Sequence, residues 1–240
     1  MAIDFISDLH LDKSRPHVNK YFVTYINNIS KDTSDLFILG DLFEYWVGDD
    51  DPMDGLKEVK SSIIELSKKI KIWYMHGNRD FLISKKICDS LGMKELTDPF
   101  IYETNGLRIL LLHGDSLCTD DIDYQKFRSM VRSKEWQSQM LSKSLDERLK
   151  IAEDFRKKSA LANSEKSEEI MDVNLNEVNK LIHKYNPEVI IHGHTHRPNI
   201  HNHLVDNNHI SRYVLGDWYD KFFILTLKTR RFSITKGKLK

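Results

Sequence analysis

Short apolar runs alternate along the chain with segments whose apolar residues recur at helical spacing. The runs IDFIS, DLFILG, IKIWYM, RILLLHGD and EVIIHGHTH predict buried strands, because each is apolar and is bounded by polar or turn-forming residues. The segments NKYFVTYINNISK, LKEVKSSIIELSKK and FLISKKICDSLG have the period of amphipathic helices, and Gly92 predicts the end of the third. The C-terminal runs HNHLVD, HISRYVLGDW, FFILTLK and RFSITK predict further strands. This alternation favours a layered α/β fold.

The pattern changes between about residues 119 and 176, where glycine and proline are absent and Lys, Glu, Arg and Ser are frequent. Apolar residues in this segment recur at helical spacing, as at Phe127, Met130 and Val131. We interpret residues 119–176 as a helical cap inserted between two strands of a core formed by residues 1–118 and 177–240.

Composition and charge narrow the classes of function. The formal net charge of zero provides no overall field that would attract nucleic acid, so we expect no nucleic-acid partner. The basic run KTRRFSITKGKLK is interpreted as a solvated edge strand and tail rather than a membrane-binding patch. Cys88 and Cys118 lie outside any paired metal spacing, which favours a reducing compartment. The N-terminus does not resemble a signal peptide and no apolar run is long enough to cross a bilayer, so we expect a cytoplasmic protein.

Side chains that commonly bind metals follow the apolar strands. They are Asp8 and His10 after DFIS, Asp41 after LFILG, Asn78 after IWYMHG, His113 after RILLL, and His194 and His196 after VIIHG. Each of these side chains, taken alone, could be a turn residue or a packed histidine. We interpret His192 as a packed histidine. Ligands in open α/β sheets gather at the carboxyl ends of strands, so these side chains should converge. If these side chains converged without a metal ion, like charges and unpaired polar groups would be buried together, which is unfavourable. The set therefore predicts a metal centre.

The mixture of oxygen and imidazole donors, without sulfur, disfavours a structural zinc site. It suits two Mn²⁺ ions, with Fe²⁺, Co²⁺ or Mg²⁺ as alternatives.

The ordered set DLH…GD…GN…H…GHTH resembles the calcineurin-like metallophosphoesterase family over about residues 1–118 and 185–240. The resemblance implies a four-layer α/β/β/α sandwich that holds two metal ions bridged by Asp41. It implies that Asp8, His10, Asp41 and His196 bind one ion, and that Asp41, Asn78, His113 and His194 bind the other. It also implies catalytic roles for Asp41, Asn78, Arg79 and His113.

The motif GNRD departs from the family's common GNH, because Arg79 stands where a histidine is thought to protonate the leaving oxygen. Arginine stays charged and cannot donate that proton. A phosphate monoester needs no proton to leave, since its second pKa is about 6. Arg79 therefore favours cleavage of a pyrophosphate, whose charge the guanidinium would clamp. The alternative interpretation is an ordinary surface arginine.

Four further stretches make the resemblance more specific and extend it over nearly the whole chain. They are GDLFEYWVGDD, LLHGDSLCTDDIDYQKFR, SALANSEKSEEIMDVN and RYVLGDWY. They resemble a branch of the family that hydrolyses UDP-2,3-diacylglucosamine to UMP and 2,3-diacylglucosamine 1-phosphate in the lipid A pathway of Gram-negative bacteria. The resemblance implies attack by a metal-bridged hydroxide on the uridylyl-side phosphorus. It also implies peripheral contact with the cytoplasmic face of the inner membrane, and it indicates no obligate protein partner.

The same resemblance implies substrate contacts from Asn78, Arg79, Asp121, Ser159, Asn163, Lys166 and His194. The spacing of Ser159, Asn163 and Lys166 places them on one helix face, and by itself this spacing favours a plain polar surface. Acyl chains would need an apolar face in the cap. The candidates for it are Phe127, Met130, Val131, Trp136, Met140, Leu141, Leu149, Ala152 and Phe155. Two alternatives stay open: a phosphoesterase acting on nucleotides or phosphoproteins, and a metal-binding scaffold without catalytic activity.

Overall fold

The computed structural model describes residues 1–167 and 170–239, with eleven strands and seven α-helices in chain order. The strands are Ala2–Ile6 (β1), Thr33–Leu39 (β2), Lys71–Met75 (β3), Met93–Leu96 (β4), Phe100–Thr104 (β5), Leu107–Leu111 (β6), Val189–His192 (β7), Asn199–Val205 (β8), Asn208–Val214 (β9), Lys221–Lys228 (β10) and Arg231–Lys238 (β11). The α-helices are Pro16–Asn27 (α1), Lys57–Ser67 (α2), Lys85–Ser90 (α3), Ile122–Val131 (α4), Lys134–Leu141 (α5), Leu145–Glu165 (α6) and Leu175–Tyr185 (α7).

The strands form two sheets with the orders β11-β10-β1-β2-β3-β4 and β5-β6-β7-β9-β8. Strands β1 to β4 are parallel, as are β6, β7 and β9, so their carboxyl ends share one edge of each sheet. One apolar core packs α1 and α2 on the first sheet, a second lies between the sheets, and a third packs α7 on the second sheet. The predicted four-layer α/β/β/α fold is confirmed.

The structure differs from the predictions at one helix boundary and contains three elements that were not predicted. Helix α3 begins at Lys85 rather than Phe81, because the Ser84 hydroxyl accepts the Ile87 N–H at 3.3 Å and caps the helix. Gly92 follows this helix in the left-handed region, as predicted. Strands β4 and β5 were not predicted, since neither is a buried apolar run. Helix α7 was not predicted either, and it begins just before the predicted cap boundary at residue 177.

Helices α4 to α6 lie between β6 and β7 in the chain and form the cap. Arginines attach them to the loops that follow the central strands. Arg148 is buried on α6 and donates to the Val47 carbonyl at 2.7 Å and to the Asp50 carboxylate. Arg132, directly after α4, donates to the Gly77 carbonyl at 2.9 Å. The cap is therefore fixed to the core by polar contacts as well as by apolar packing.

Membrane insertion through a helix has no support in the described part of the chain. No helix there combines the length and the apolar character that spanning a bilayer requires.

Candidate metal centre and adjoining cavity

The polar residues that follow β1, β2, β6 and β7 meet because their loops hydrogen-bond to one another. The Asp8 N–H donates to the Gly40 carbonyl at 3.1 Å, and the His10 N–H donates to the Asp41 carbonyl at 2.9 Å. From the second sheet, the His194 N–H donates to Asp8 Oδ2 at 2.9 Å. These bonds join the edges of the two sheets into one site.

Glycines permit this close approach of the loops. A Cβ at Gly77 would collide with the Asp41 carboxylate, and a Cβ at Gly193 would collide with the side chains of Ser7 and Asp8. A side chain at either glycine would therefore push the candidate ligands apart.

The candidate ligands have an unusual backbone conformation. Asp8, His10, Asp41, His194 and His196 all have φ between 51° and 67°. Such values are uncommon for residues with a side chain, and strained backbone of this kind concentrates at functional sites. The loop-to-loop hydrogen bonds hold these residues in that conformation.

Asp8, His10 and His196 form the first cluster, with one potential ligand atom from each within 4.8 Å of the others. The Nε2 atoms of His10 and His196 are 3.3 Å apart, and His196 Nε2 is 3.4 Å from Asp8 Oδ1. Asp41 Oδ2 lies 3.8 Å from His10 Nε2. The structure thus brings together the four residues predicted to bind one ion.

The second cluster combines Asp8 with Asp41 and His113, again within 4.8 Å. Asn78 Oδ1 lies 3.0 Å from His113 Nε2 and 2.9 Å from His194 Nδ1. Asp41 turns Oδ1 toward His113 Nε2, at 3.9 Å, and Oδ2 toward His10. This orientation suits the predicted bridging role of Asp41. His194 approaches the cluster through Asn78 rather than through a carboxylate.

Two observations show that these residues fit divalent cations. Among the described residues, the buried Asp8 Oδ1 has no hydrogen-bond donor, and an unpaired buried carboxylate oxygen is costly. His113 Nδ1 is 2.9 Å from the Leu39 carbonyl oxygen, and His196 Nδ1 is 3.5 Å from Asp217 Oδ2. Metal-binding histidines typically direct their second nitrogen to such acceptors. The Nε2 atoms are thereby left facing the centre.

Burial and neighbouring charges shift the pKa values of the cluster in different directions. Burial opposes the charged form of His113, but the carboxylates of Asp41 and Asp115 outweigh it and raise its pKa to about 9. Burial and the charge of His113 lower the pKa of His194 to about 3. Burial opposes ionisation of Asp8, yet the nearby positive charge of His196 lowers its pKa. The His113 ring thus carries positive charge beside the buried carboxylates of Asp41 and Asp115.

A cavity of about 420 Å³ joins the metal centre to the cap. Asn78 and Arg79 line it at the metal centre, and the Arg79 N–H donates to Asp41 Oδ1 at 2.8 Å. Its apolar lining includes Trp46, Phe81, Leu82, Phe127, Trp136, Met140, Ala152 and Phe155. The cavity is therefore polar at the metal centre and largely apolar toward the cap, which also contributes the polar side chains of Arg156, Ser159 and Lys166.

The apolar cap candidates divide into two groups. Those that line the cavity are Phe127, Trp136, Met140, Ala152 and Phe155. Of the others, Val131 is buried, Leu149 is partly buried, and Met130 and Leu141 are exposed. Helical spacing identified apolar positions but could not distinguish these surroundings.

The predicted substrate-binding residues of the cap are only partly described. Ser159 and Lys166 line the cavity. Lys166 Nζ lies 2.7 Å from both carboxylate oxygens of Asp121, so two of the predicted substrate contacts pair with each other. Asp121 also caps α4 by accepting the Tyr124 N–H at 3.1 Å. The side chain of Asn163 lies outside the described part of the chain.

His192 is placed as predicted, among packed residues. It is fully buried, and its Nε2 is 2.9 Å from Arg212 Nη1. Burial and the charge of Arg212 lower its pKa to about 4.

Sequence reasoning missed several residues that support the centre. Asp80 is fully buried and accepts the backbone N–H groups of Leu42 at 2.8 Å and Gly77 at 2.9 Å, which ties two ligand loops together. Its position directly after GNR was the available signal. Glu44 and Tyr219 contact His10, but the sequence did not predict these contacts, because each joins residues distant in the chain.

Comparison with known proteins shows which family this chain belongs to. The family described as calcineurin-like phosphoesterase matches residues 1–198. A UDP-2,3-diacylglucosamine hydrolase of Histophilus somni (strain 2336) is 41% identical over 230 residues, which cover 95% of this chain and 97% of that protein. Proteins of the same name from Marinobacter nauticus and Aliivibrio fischeri are 42% and 38% identical, covering 91% and 100% of this chain and 90% and 100% of theirs. The chain belongs to the calcineurin-like phosphoesterase family.

Proposed function

We propose that this protein hydrolyses the pyrophosphate of UDP-2,3-diacylglucosamine to UMP and 2,3-diacylglucosamine 1-phosphate, a step of lipid A biosynthesis. The observation that carries the proposal is the cavity, which has Asn78 and Arg79 at one end and aromatic cap residues at the other. A substrate with a charged phosphate group and long acyl chains matches both ends. The relatives of nearly the same length, named for hydrolysis of that substrate, support the proposal.

The proposed metal ligands follow from the two clusters. Asp8, His10, Asp41 and His196 hold one ion, and Asp41, Asn78, His113 and His194 hold the other. The family and the clusters support the use of divalent metal, and we assign Mn²⁺ from the oxygen and imidazole donors. Two divalent cations bound there supply Lewis acidity to a phosphoryl oxygen and lower the pKa of a bound water.

Arg79 gives the site its preference for a pyrophosphate. Its side chain lines the cavity next to Asn78, and its positive charge acts on Asp41. We propose that the guanidinium binds the pyrophosphate and stabilises the negative charge that develops on the leaving phosphate. This phosphate needs no proton to leave. Asp41, Asn78, Arg79 and His113 are the proposed catalytic residues.

The cap, residues 119–176, is the proposed substrate-binding unit. Each buried methylene of an acyl chain contributes about 0.8 kcal/mol, so a few aromatic walls suffice to hold the chains. We propose that Ser159, Asn163, Lys166 and Asp121 hold the sugar head group. When substrate binds, Lys166, now 2.7 Å from Asp121, would donate some of its hydrogen bonds to substrate oxygens instead. Binding energy collected in the cap positions the reacting phosphorus at the metals.

We further propose that the enzyme works at the cytoplasmic face of the inner membrane as a peripheral protein. Its substrate carries acyl chains that reside in a bilayer. Ile122 and Leu161 of the cap expose more than 60% of their surface, which supports contact of the cap with lipid.

Product analysis tests the proposed function. The purified protein with Mn²⁺ should convert UDP-2,3-diacylglucosamine to UMP and the acylated sugar 1-phosphate, as measured by mass spectrometry. UDP-glucose, which lacks acyl chains, is the matched control and should be cleaved far more slowly. Efficient cleavage of UDP-glucose or of a simple nucleotide, without cleavage of the acylated substrate, would contradict the proposal.

A further inference from the structure

Glu44 connects the metal centre to the cap, although it belongs to neither ligand cluster. It follows β2, is 3% exposed, and contacts His10, Arg15 and Arg156. We propose that Glu44 is a positioning residue that orients His10 for its metal ion and, through Arg156, orients helix α6 relative to that ligand. The inference rests on the metal centre of the proposed function and adds a residue to it.

The two ring nitrogens of His10 face different partners. Nε2 faces the candidate ligands, 3.3 Å from His196 Nε2 and 3.8 Å from Asp41 Oδ2. Nδ1 is 3.5 Å from Glu44 Oε2, and among the described residues it has no hydrogen-bond partner. A histidine that binds metal through Nε2 carries its proton on Nδ1. Glu44 is the carboxylate placed to accept that proton once a small side-chain adjustment closes the gap.

Neighbouring side chains fix both Glu44 and the ring of His10. Arg15 pairs with Glu44 and also donates to the His10 carbonyl oxygen. The ring of Tyr219 stacks on the His10 ring with centroids 5.1 Å apart and an interplanar angle of 8°. The guanidinium of Arg15 lies 4.7 Å from the centre of the Tyr219 ring. Tyr219 therefore fixes the plane of His10, and Glu44 fixes which nitrogen keeps the proton.

The second oxygen of Glu44 reaches the cap. Oε1 lies 3.2 Å from Arg156 Nε, whereas Oε2 serves Arg15 and His10. Arg156 lies on α6, is 53% exposed and lines the cavity beside Glu44. Because the Arg156 side chain is half exposed, its ion pair with Glu44 orients the helix without holding it, and the buried Arg148 remains the anchor of α6. Loss of Glu44 should therefore affect metal and substrate, whereas loss of Arg156 should affect substrate alone.

Mn²⁺ binding to the full-length protein tests this asymmetry, with free Mn²⁺ followed by electron paramagnetic resonance. We expect Glu44→Ala to weaken one of two Mn²⁺ sites by about 10- to 100-fold, the usual effect of removing the partner of a histidine ligand. Glu44→Gln should bind close to wild type, because its amide oxygen still accepts the His10 N–H. Arg156→Ala should leave Mn²⁺ affinity unchanged and raise KM for the acylated substrate. The control is Lys157→Ala on the same helix, whose partner Glu153 lies 2.7 Å away at the surface, and it should change neither quantity.

The contrary results separate this inference from the proposed function. A folded Glu44→Ala protein that binds two Mn²⁺ as tightly as wild type would overturn the role of Glu44 alone. A wild-type protein that binds no Mn²⁺ would overturn the proposed metal centre as well. Should Glu44→Ala fail to fold, Glu44→Asp decides, because it keeps the charge beside Arg15 but shortens the reach toward His10. It should also lose affinity at one site, and unchanged affinity in that folded variant would equally overturn the role.

Discussion

The metal centre and the cap are built in opposite ways. At the centre, Asp8, His10, Asp41 and His113 are at most 2% exposed, and hydrogen bonds between strand-end loops hold their backbone. The cap consists of helices whose cavity-lining side chains, such as Phe155, are mostly partly buried. Arginine contacts attach these helices to the core. In the proposed function, the chemistry belongs to the edges of the sheets, and substrate choice belongs to the helices between β6 and β7.

This difference predicts that substitutions at the metal centre and in the cap should have different effects on activity. A change at the centre disturbs buried charges that have few alternative partners, so it should abolish reaction with every substrate. A change in the cap cavity alters how the acyl chains fit, so it should act on the acylated substrate and spare small ones.

The largest effect is expected for Asp41→Ala, which removes the residue that turns one oxygen toward each cluster. Activity should fall at least about a thousandfold, because several kcal/mol of transition-state stabilisation depend on the metals. Bound metal, measured by elemental analysis, should fall at both sites. The control Asp54→Asn alters an exposed carboxylate and should leave both quantities unchanged. Two tightly bound ions in Asp41→Ala would contradict the bridging role.

Arg79→Ala should have the next largest effect, since it removes the guanidinium assigned to the developing charge. We expect kcat to fall about a hundredfold to a thousandfold, the cost of losing one donor to such charge. Arg79→His should not restore pyrophosphate cleavage, because the leaving phosphate needs no proton. Steady-state kinetics on the acylated substrate measure both variants. Full recovery in Arg79→His would show that proton donation, rather than charge, was the missing function.

A smaller and more selective effect is expected from Ala152→Phe, which fills part of the cavity. Displacing about three methylenes at about 0.8 kcal/mol each costs about 2.4 kcal/mol, or about fiftyfold in kcat/KM. Hydrolysis of bis-p-nitrophenyl phosphate, which has no acyl chain, should be unchanged. Leu141→Phe is the control, because Leu141 lies on the exposed surface of the cap. Equal losses on both substrates in a folded Ala152→Phe protein would show that the cavity does not house acyl chains.

The same contrast explains what the sequence could predict. The candidate ligands were predictable because each follows an apolar strand such as β1 or β7, and parallel strands bring their carboxyl ends to one edge. In the cap, helical spacing identified apolar residues, but the exposed Met130 and the cavity-lining Phe127 follow the same pattern. Which of them faces the cavity depends on packing between helices, which periodicity does not describe.

Supporting residues were harder to predict than ligands. Glu44 lies in the motif GDLFEYWVGDD, yet its partner Arg156 lies far away in the chain on α6. Strand β4 contributes only its terminal residues to buried surface, so its sequence carries no apolar run. Such contacts and half-exposed strands depend on tertiary structure, so the local sequence pattern does not predict them.

In the proposed reaction, water attacks the phosphorus on the uridine side of a pyrophosphate that lies at the metal centre, while the cap holds the acyl chains. Hydrolysis of UDP-2,3-diacylglucosamine in ¹⁸O-labelled water with Mn²⁺ tests it directly, because the oxygen of water remains on the phosphorus that is attacked. Mass spectrometry should find one ¹⁸O atom in UMP and none in the acylated sugar 1-phosphate, and EDTA should abolish both products. Label in the sugar 1-phosphate, or products that form unchanged in EDTA, would contradict the account.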